Sequence, residues 1–327
     1  MKRPVETSLC WIAILVFSGV IVAQDVTVPN IPGSTPAVAV APAPVKRVKI
    51  DPQFVLGQTY RYTANTELRA QLPDHGIRAL SLEQQARFVV SPRADEKSGV
   101  RISGRTERLV VSLRSAGVTL EYDSFEAEDR KSKFGQYLQP GLRQGIDILV
   151  NRDNRVVAPE ESLALPDDPK PKDTLPRFGP DELTELVSLL LQGASEKPVG
   201  PGQTWSLEGA REVSGAGQVS FDLTYRHLGS IEFEGHLCQK IGVSGSLSGL
   251  LPTEDAGEDA FSAEMRFEGG SLGGEIYYDP VLRTFRYLKQ SISMLLEMPS
   301  EQPDAPLRQI AIEQSTTSRL LHRIATP

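Results

Sequence analysis

The pattern closest to a catalytic motif in this chain is Gly269-Gly270-Ser271-Leu272-Gly273, which matches the G-x-S-x-G sequence of a hydrolase nucleophile elbow. That elbow requires a strand before the serine and a helix after it, so that the hydroxyl stands on a sharp turn. The residues after Ser271 alternate as a strand does, and His322 near the C-terminus is the only histidine downstream. We therefore expect a glycine-rich hairpin at this position and no catalytic serine.

A possible metal site lies at Glu232, Glu234, His236 and Cys238, with His227 nearby in sequence. Residues at every second position share one face of a strand, and carboxylate, imidazole and thiolate groups all ligate transition metals. The chain contains no paired C-x-x-C or H-x-x-x-H spacing of the kind that builds tetrahedral sites. The pattern therefore favours a solvated strand face over a metal site.

Acidic residues could bind a hard cation in the segment that contains Glu254, Asp255, Glu258 and Asp259. Their spacing does not follow the calcium-loop pattern, so we interpret them as a solubilising loop. His75 falls in a predicted turn and has no partner in the pattern. The sequence also contains no Walker loop and no dinucleotide fingerprint. We therefore assign no catalytic residue, no cofactor and no metal ligand.

Aromatic side chains could line a hydrophobic or sugar-binding concavity, and the candidates are Tyr60, Tyr62, Trp205, Tyr277 and Tyr278. Aromatic residues make up only 6% of the chain, and aromatics at period two are more typical of a core. We therefore expect these rings to be buried.

Period-two alternation dominates the elements that must position these groups. Apolar residues occupy positions 60, 62, 64, 68, 70 and 72, and similar runs recur near residues 80–90, 100–113 and 118–122. A phase slip after residue 102 predicts a bulge near Gly104. Further alternating runs extend from residue 205 to residue 312. The pattern predicts a mainly β fold of antiparallel strands.

Two short helices interrupt the strands. The first is predicted around residues 134–138 and should end at Pro140-Gly141. The second follows Gly179-Pro180 and should stop at Gly193. Its apolar stripe has the spacing i, i+3, i+4, i+7 and consists of Leu183, Leu186, Val187 and Leu190.

The two halves of the chain resemble each other. Gly57-Gln58-Thr59-Tyr60 opens the first run of strands, and Gly202-Gln203-Thr204-Trp205 opens the second. Residues 118–123 (VTLEYD) are echoed by residues 274–279 (GEIYYD). Two matches in the same order favour an internal duplication of an antiparallel β unit.

These motifs carry a family resemblance. The chain resembles uncharacterised secreted bacterial proteins with a two-part β domain of unknown function. The resemblance lies in the GQTY opening, the Tyr122-Asp123-Ser124 segment, the helix before Val199–Trp205 and the late IYYDP at residues 276–280. The resemblance covers most of residues 52–322. It implies an exported β-rich protein and carries over no catalytic or binding residue.

Export is also indicated by the N-terminus. Lys2 and Arg3 precede fifteen uncharged residues, Leu9 to Ala23, and this run is shorter than the ~20 apolar residues of a membrane-spanning helix. Cleavage after Ala23 would leave Cys238 as the only cysteine, which we expect to be a reduced thiol. The predicted organisation is a signal peptide (1–23), a disordered Pro/Ala-rich tether (24–49), a first β unit (50–157), a Pro-rich loop with an amphipathic helix (158–197) and a second β unit (198–323).

Charge and composition restrict the function. With 35 Lys and Arg against 42 Asp and Glu, the chain of 327 residues carries a net charge of −7, which disfavours nucleic acid as a partner. We expect a periplasmic or extracellular protein that meets the membrane only through its signal peptide. The first hypothesis is a non-catalytic binding or assembly module of the bacterial cell envelope. The alternatives are a carrier of an apolar ligand, a lipid or lipoprotein, in a curved β-sheet cavity, and an enzyme with a dispersed site.

Overall fold

The structure is a computed structural model that describes residues 22–23, 47–72, 76–92, 99–115, 117–151, 156–157, 180–213, 217–249, 266–298 and 308–326. Residues 1–21, most of the predicted tether, His75 and the acidic segment at 254–259 lie outside the described residues. The described residues form a mainly β structure with three helices, which confirms the predicted fold class.

The strands are β1 (Val22–Ala23), β2 (Gln58–Leu72), β3 (Gly76–Pro92), β4 (Val100–Ser115), β5 (Val118–Asp123), β6 (Ile146–Val150), β7 (Val156–Val157), β8 (Thr204–Val213), β9 (Gly217–Phe233), β10 (His236–Gly249), β11 (Arg266–Asp279), β12 (Thr284–Met298) and β13 (Arg308–Ala325). The helices are α1 (Ala127–Lys131), α2 (Lys133–Arg143) and α3 (Pro180–Leu191). None of these helices combines the length and the apolar character that a membrane crossing requires.

One antiparallel sheet contains all the strands, in the order β1-β8-β9-β10-β11-β12-β13-β2-β3-β4-β6-β7, with β5 paired to β4. Strands β8 to β13 form a meander, and so do β2 to β5. The last strand, β13, pairs with β2 from Ala325↔Gln58 to Ala311↔Gln71. The two predicted β units are therefore halves of a single sheet with one hydrophobic core.

Strand β2 shows why these residues form a two-faced sheet. Tyr62, Leu68 and Leu72 are buried on one face, whereas Asn65 and Arg69 on the other are exposed. Alternation of this kind is typical of antiparallel strands that cover a core on one side and face water on the other.

Two local predictions differ from the structure. The bulge predicted near Gly104 lies at Glu107, because Thr106 pairs with Ala86 and Arg108 pairs with Gln85. Helix α2 runs through Pro140 to its last residue, Arg143, instead of ending at the proline. The φ of proline, near −65°, is a helical value, so the last turn continues past Pro140 without the hydrogen bond that an N–H there would donate.

The two predicted strand openings have the same local structure. Gly57 and Gly202 both have positive φ, +72° and +84°. Their N–H groups donate to the carbonyl oxygens of Val90 (3.0 Å) and His227 (2.7 Å) on the following strand. Glycine adopts positive φ without steric cost, which explains its presence at both turns. The two openings therefore form the same kind of turn.

The second pair of repeated motifs also corresponds. Tyr122 and Tyr278 are both buried at the ends of β5 and β11. The carboxylate of Asp123 accepts the N–H of Phe125 at 2.9 Å, and that of Asp279 accepts the N–H of Val281 at 2.8 Å. Each carboxylate therefore closes a tight turn at the end of its strand, as aspartate commonly does.

Candidate functional site: a cavity beneath helix α3

Helix α3 lies over the buried face of the sheet and has two apolar sides. Leu183, Val187 and Leu190 are buried, and the helix contacts β4, β6 and β12. Leu186 and Leu189 line a cavity on the other side. The predicted apolar stripe is confirmed, since Leu186 is also buried.

The C-terminal end of α3 is fixed by close packing. Gly193 has φ +75°, and a Cβ atom there would lie 2.7 Å from the ring of Tyr225. The carbonyl of Gly193 accepts a hydrogen bond from Trp205 Nε1 at 3.2 Å. Glycine is therefore needed at this position both for its backbone angle and for lack of space.

The cavity lies between α3 and seven neighbouring strands, from β9 across to β3, so the sheet must curve around it. It offers about 120 Å³ to water-sized molecules. Dry apolar cavities of ~150 Å³ bind benzene, so this space suits a small ring or part of an alkyl chain. Its apolar walls are formed by Ala64, Leu68, Leu80, Leu82, Leu186, Leu189, Val219, Phe221, Leu223, Leu247, Leu272 and Ile292.

An uncharged polar row interrupts these walls. On three neighbouring strands, Gln290 is opposite Thr316, and Thr316 is opposite Thr66. The hydroxyl oxygens of Thr66 and Thr316 are 3.3 Å apart. Gln84 is buried and donates from Nε2 to Thr106 Oγ1 at 2.7 Å.

Gln314 is the least satisfied member of this row. Its side chain is only 9% exposed, and Nε2 lies 3.4 Å from Thr316 Oγ1. Its Oε1 atom is buried and has no hydrogen-bond partner in the structure. A buried carbonyl oxygen without a donor is unusual in folded proteins, where most such atoms are paired.

The charged residues of the lining come from α3, which contributes Glu182 and Glu185. Gln192 follows at the end of the helix. No lysine, arginine or histidine belongs to the described residues that line the cavity.

Sequence reasoning gave a curved β-sheet cavity only as an alternative and did not identify the residues that line it, although the sequence contains a signal for them. Thr66, Gln84, Gln290, Gln314 and Thr316 are polar residues on the otherwise apolar parity of their strands. Polar side chains at positions that should face a core mark a place where the core is not closely packed with apolar groups. The amphipathic helix was predicted, but not what it covers.

The G-x-S-x-G serine lies in the middle of β11 instead of in the predicted hairpin. Ser271 is exposed and pairs with Ser246 and Ser293 on the two adjacent strands. The glycines allow close approach of the neighbouring strand, since a Cβ at Gly270 would lie 2.5 Å from the carbonyl oxygen of Ser293. The strand-to-helix turn of a nucleophile elbow is not formed at this serine.

Glu232, Glu234 and His236 are exposed, as predicted, but they do not share one strand face with Cys238, which is buried, because a turn divides the segment. Glu234 and Gly235 form a two-residue hairpin loop with φ of +53° and +74°. His236 then pairs with Phe233, and Cys238 pairs with Ile231. Positive φ at both loop residues is typical of hairpin turns, and the glycine was the available signal. No group of three or more potential metal ligands comes together among the described residues.

Cys238 itself is a buried free thiol. Burial, with a smaller contribution from the nearby carboxylate of Asp279, raises its pKa to about 11. The thiol is therefore protonated at neutral pH and is a poor nucleophile, because thiolate is the reactive form.

The aromatic candidates divide into two groups. Tyr60, Tyr62 and Tyr278 are buried in the core, as predicted. Trp205 is only half-buried and stacks on Tyr225 at 5.5 Å between ring centroids. For Tyr277 the prediction is wrong, because it is half-buried and clusters with Phe233 and Tyr287 at centroid distances of 5.0 and 5.1 Å.

His227 is buried on β9, at the end of the run in which alternate side chains face the core. Its Nε2 lies 2.9 Å from Gln239 Oε1, and its backbone N–H donates to the carbonyl of Gln203. These contacts join β9 to the second strand opening, so His227 has a structural role at that position.

Comparisons with known proteins leave the function open. No family model and no curated protein matches the chain. Among solved structures, the chain is similar to one described as "lipid-protein interactions in lipovitellin", with 11% identity and a TM-score of 0.45. The match covers 84% of this chain and 26% of that one, so the chain spans about a quarter of the length of that relative. Structural similarity at this level does not indicate a function for this chain.

Proposed function

We propose that the protein binds a small apolar or amphiphilic molecule in the cavity beneath α3 and acts as its carrier. The observation that carries this proposal is an apolar cavity enclosed between a curved sheet and an amphipathic helix. Transfer of apolar surface from water into such a cavity contributes roughly 25 cal/mol per Å². Binding sites for small molecules are typically concave and mostly apolar, with a few polar groups that orient the ligand.

The helix is the element that moves to admit a larger ligand. The strands around the cavity are held by continuous hydrogen-bonded ladders, such as β2–β13 and β2–β3. Helix α3 satisfies its own backbone hydrogen bonds and packs on the sheet through side chains. Displacing α3 therefore breaks fewer hydrogen bonds than separating any two of these strands.

Filling the cavity should abolish ligand binding. We expect the neutral probe N-phenyl-1-naphthylamine to fluoresce on binding to the protein, and Ala64→Leu to weaken that binding at least tenfold. The added isopropyl group would occupy the space beside the buried Ala64 side chain. Fluorescence titration measures the affinity, and thermal unfolding checks that the variant is folded, since overpacking costs ~1–3 kcal/mol.

The matched control is Asn65→Leu, which adds an apolar side chain at the next residue on the exposed face. It should leave probe binding unchanged. Equal binding by the parent protein and the folded Ala64→Leu variant would contradict the carrier proposal.

The assembly module is the second candidate function. It is favoured by the half-buried cluster of Phe233, Tyr277 and Tyr287, since aromatic residues are enriched at protein interfaces. Native mass spectrometry of protein from its own host distinguishes the two functions. A retained small molecule supports the carrier, and a stoichiometric protein partner supports the module.

We also propose that the chain is exported and begins at Gln24 after cleavage. The support is the basic start followed by a short uncharged run. Cleavage would remove β1, which pairs Val22 with Ala210 and Ala23 with Gly209. N-terminal sequencing of exported material should find Gln24. An intact residue 1–23 segment in a membrane fraction would contradict cleavage.

A further inference from the structure

We propose that the cavity selects uncharged amphiphiles that carry a hydroxyl or amide N–H group, and that this group donates a hydrogen bond to the side chain of Gln314. This inference rests on the proposed function, since it specifies which chemical class of ligand the cavity accepts.

The unpaired oxygen of Gln314 is the first observation. A buried carbonyl oxygen without a donor is destabilising, and a donor group on the ligand would remove that cost. Gln314 lines the cavity and lies between Ile292 and Leu68 in the register of the sheet. A ligand donor at this point would have apolar side chains on both sides of it.

The neighbouring polar groups are the second observation. Thr66, Thr316 and Gln290 lie side by side on three neighbouring strands. On β13, Thr316 is the next residue after Gln314 that faces the cavity. Amides and hydroxyls both donate and accept hydrogen bonds without carrying a charge. They suit a neutral head group such as an alcohol, whose oxygen accepts one hydrogen bond while its proton is donated to Gln314.

The charge of the lining excludes the commonest class of single-chain lipid, the fatty acid anion. Burying a carboxylate is costly unless a cation or several donors compensate for its lost hydration. The described lining contains no cationic side chain, whereas Glu182 and Glu185 contribute carboxylates. An anionic head group would therefore lose its hydration without gaining a cationic partner among the described lining residues.

Competition between two ligands of equal chain length tests this selectivity. 1-Decanol and decanoate would each be titrated against bound N-phenyl-1-naphthylamine at pH 7.5, where decanoate is ionised. We expect 1-decanol to displace the probe at concentrations at least tenfold lower than decanoate.

Gln314→Leu should remove the preference. Because a hydrogen bond is lost while the cavity stays apolar, the variant should bind 1-decanol about tenfold more weakly and bind the probe with unchanged affinity. The matched control is Gln309→Leu, on an exposed position of the same strand. Gln314→Met, which keeps the length of the side chain, replaces the leucine variant if that one does not fold.

The outcomes separate the two proposals. A probe that does not bind, or that binds equally to folded Ala64→Leu, overturns the carrier function and this inference with it. A probe that binds in the cavity but is displaced equally by 1-decanol and decanoate overturns the selectivity alone. The same holds if Gln314→Leu leaves the affinity for 1-decanol unchanged.

Discussion

Replacing Asp279 by alanine should lower the free energy of unfolding by about 3–5 kcal/mol, because it leaves a buried positive charge without its partner. Asp279 is 3% exposed, and its Oδ2 accepts a hydrogen bond from Arg286 Nε at 2.6 Å. Its Oδ1 also accepts the N–H groups of Val281 and Leu282, which form the turn between β11 and β12. The substitution therefore removes both the ion pair with Arg286 and the hydrogen bonds that hold the turn between β11 and β12.

Urea unfolding followed by circular dichroism measures this loss. The matched control is Asp147→Ala, which breaks an equally short ion pair with Arg101 at 2.7 Å. That pair is about half exposed, so its loss should cost less than about 1 kcal/mol. Adding Arg286→Met to Asp279→Ala should recover part of the stability, because no unpaired charge then remains. Equal costs for the two aspartates would contradict the argument.

Tyr60→Ala should lower the free energy of unfolding by a similar amount, about 3–5 kcal/mol. The ring is fully buried and makes an edge contact with Phe54 at 5.0 Å between centroids. Its hydroxyl accepts the N–H of Val55 at 2.9 Å, and the guanidinium of Arg323 lies 5.4 Å from the ring centre. The substitution would leave both a cavity and an unsatisfied backbone donor.

Trp205→Ala is the informative comparison, because Trp205 occupies the same position in the second strand opening. Its ring is half-buried, so its loss should cost less than that of Tyr60. Thr63→Ala, on the other face of β2, should have little effect. Thermal and urea unfolding of the three variants give the order. A Trp205→Ala variant that is less stable than the Tyr60→Ala variant would contradict this expected order.

Much of the fold could be predicted because alternation in a two-faced sheet is visible in the sequence. Strand β2 alternates over its full length, and helix α3 has both a proper start and an apolar stripe. The hairpin predicted in β11 was wrong, because glycines have no side chain whose polarity indicates which face of a strand is buried. The hairpin at Glu234-Gly235 was missed because the residues on either side keep the same period. The local pattern does not show where the direction of the chain reverses.

The site could not be predicted in the same way, because distant segments build it. The cavity combines α3 with strands from both halves, and Gln314 approaches Leu68 only because β13 pairs with β2. Pairing between strands so far apart in sequence leaves no local trace. The polar residues on the buried parity indicated an irregular core, but not that they belong to one cavity.

The pairing of the last strand with the first long one has a consequence for how the chain folds. Thr59 and Thr326 are separated by 267 residues in sequence, yet their hydroxyl oxygens are 3.1 Å apart. The wall of the cavity around Gln314 cannot form until β13 has been synthesised and has paired with β2. Contacts of such high sequence separation slow folding, because loop closure must precede the interactions that reward it. The two halves can begin as separate meanders, and their joining should be the late step that creates the binding cavity.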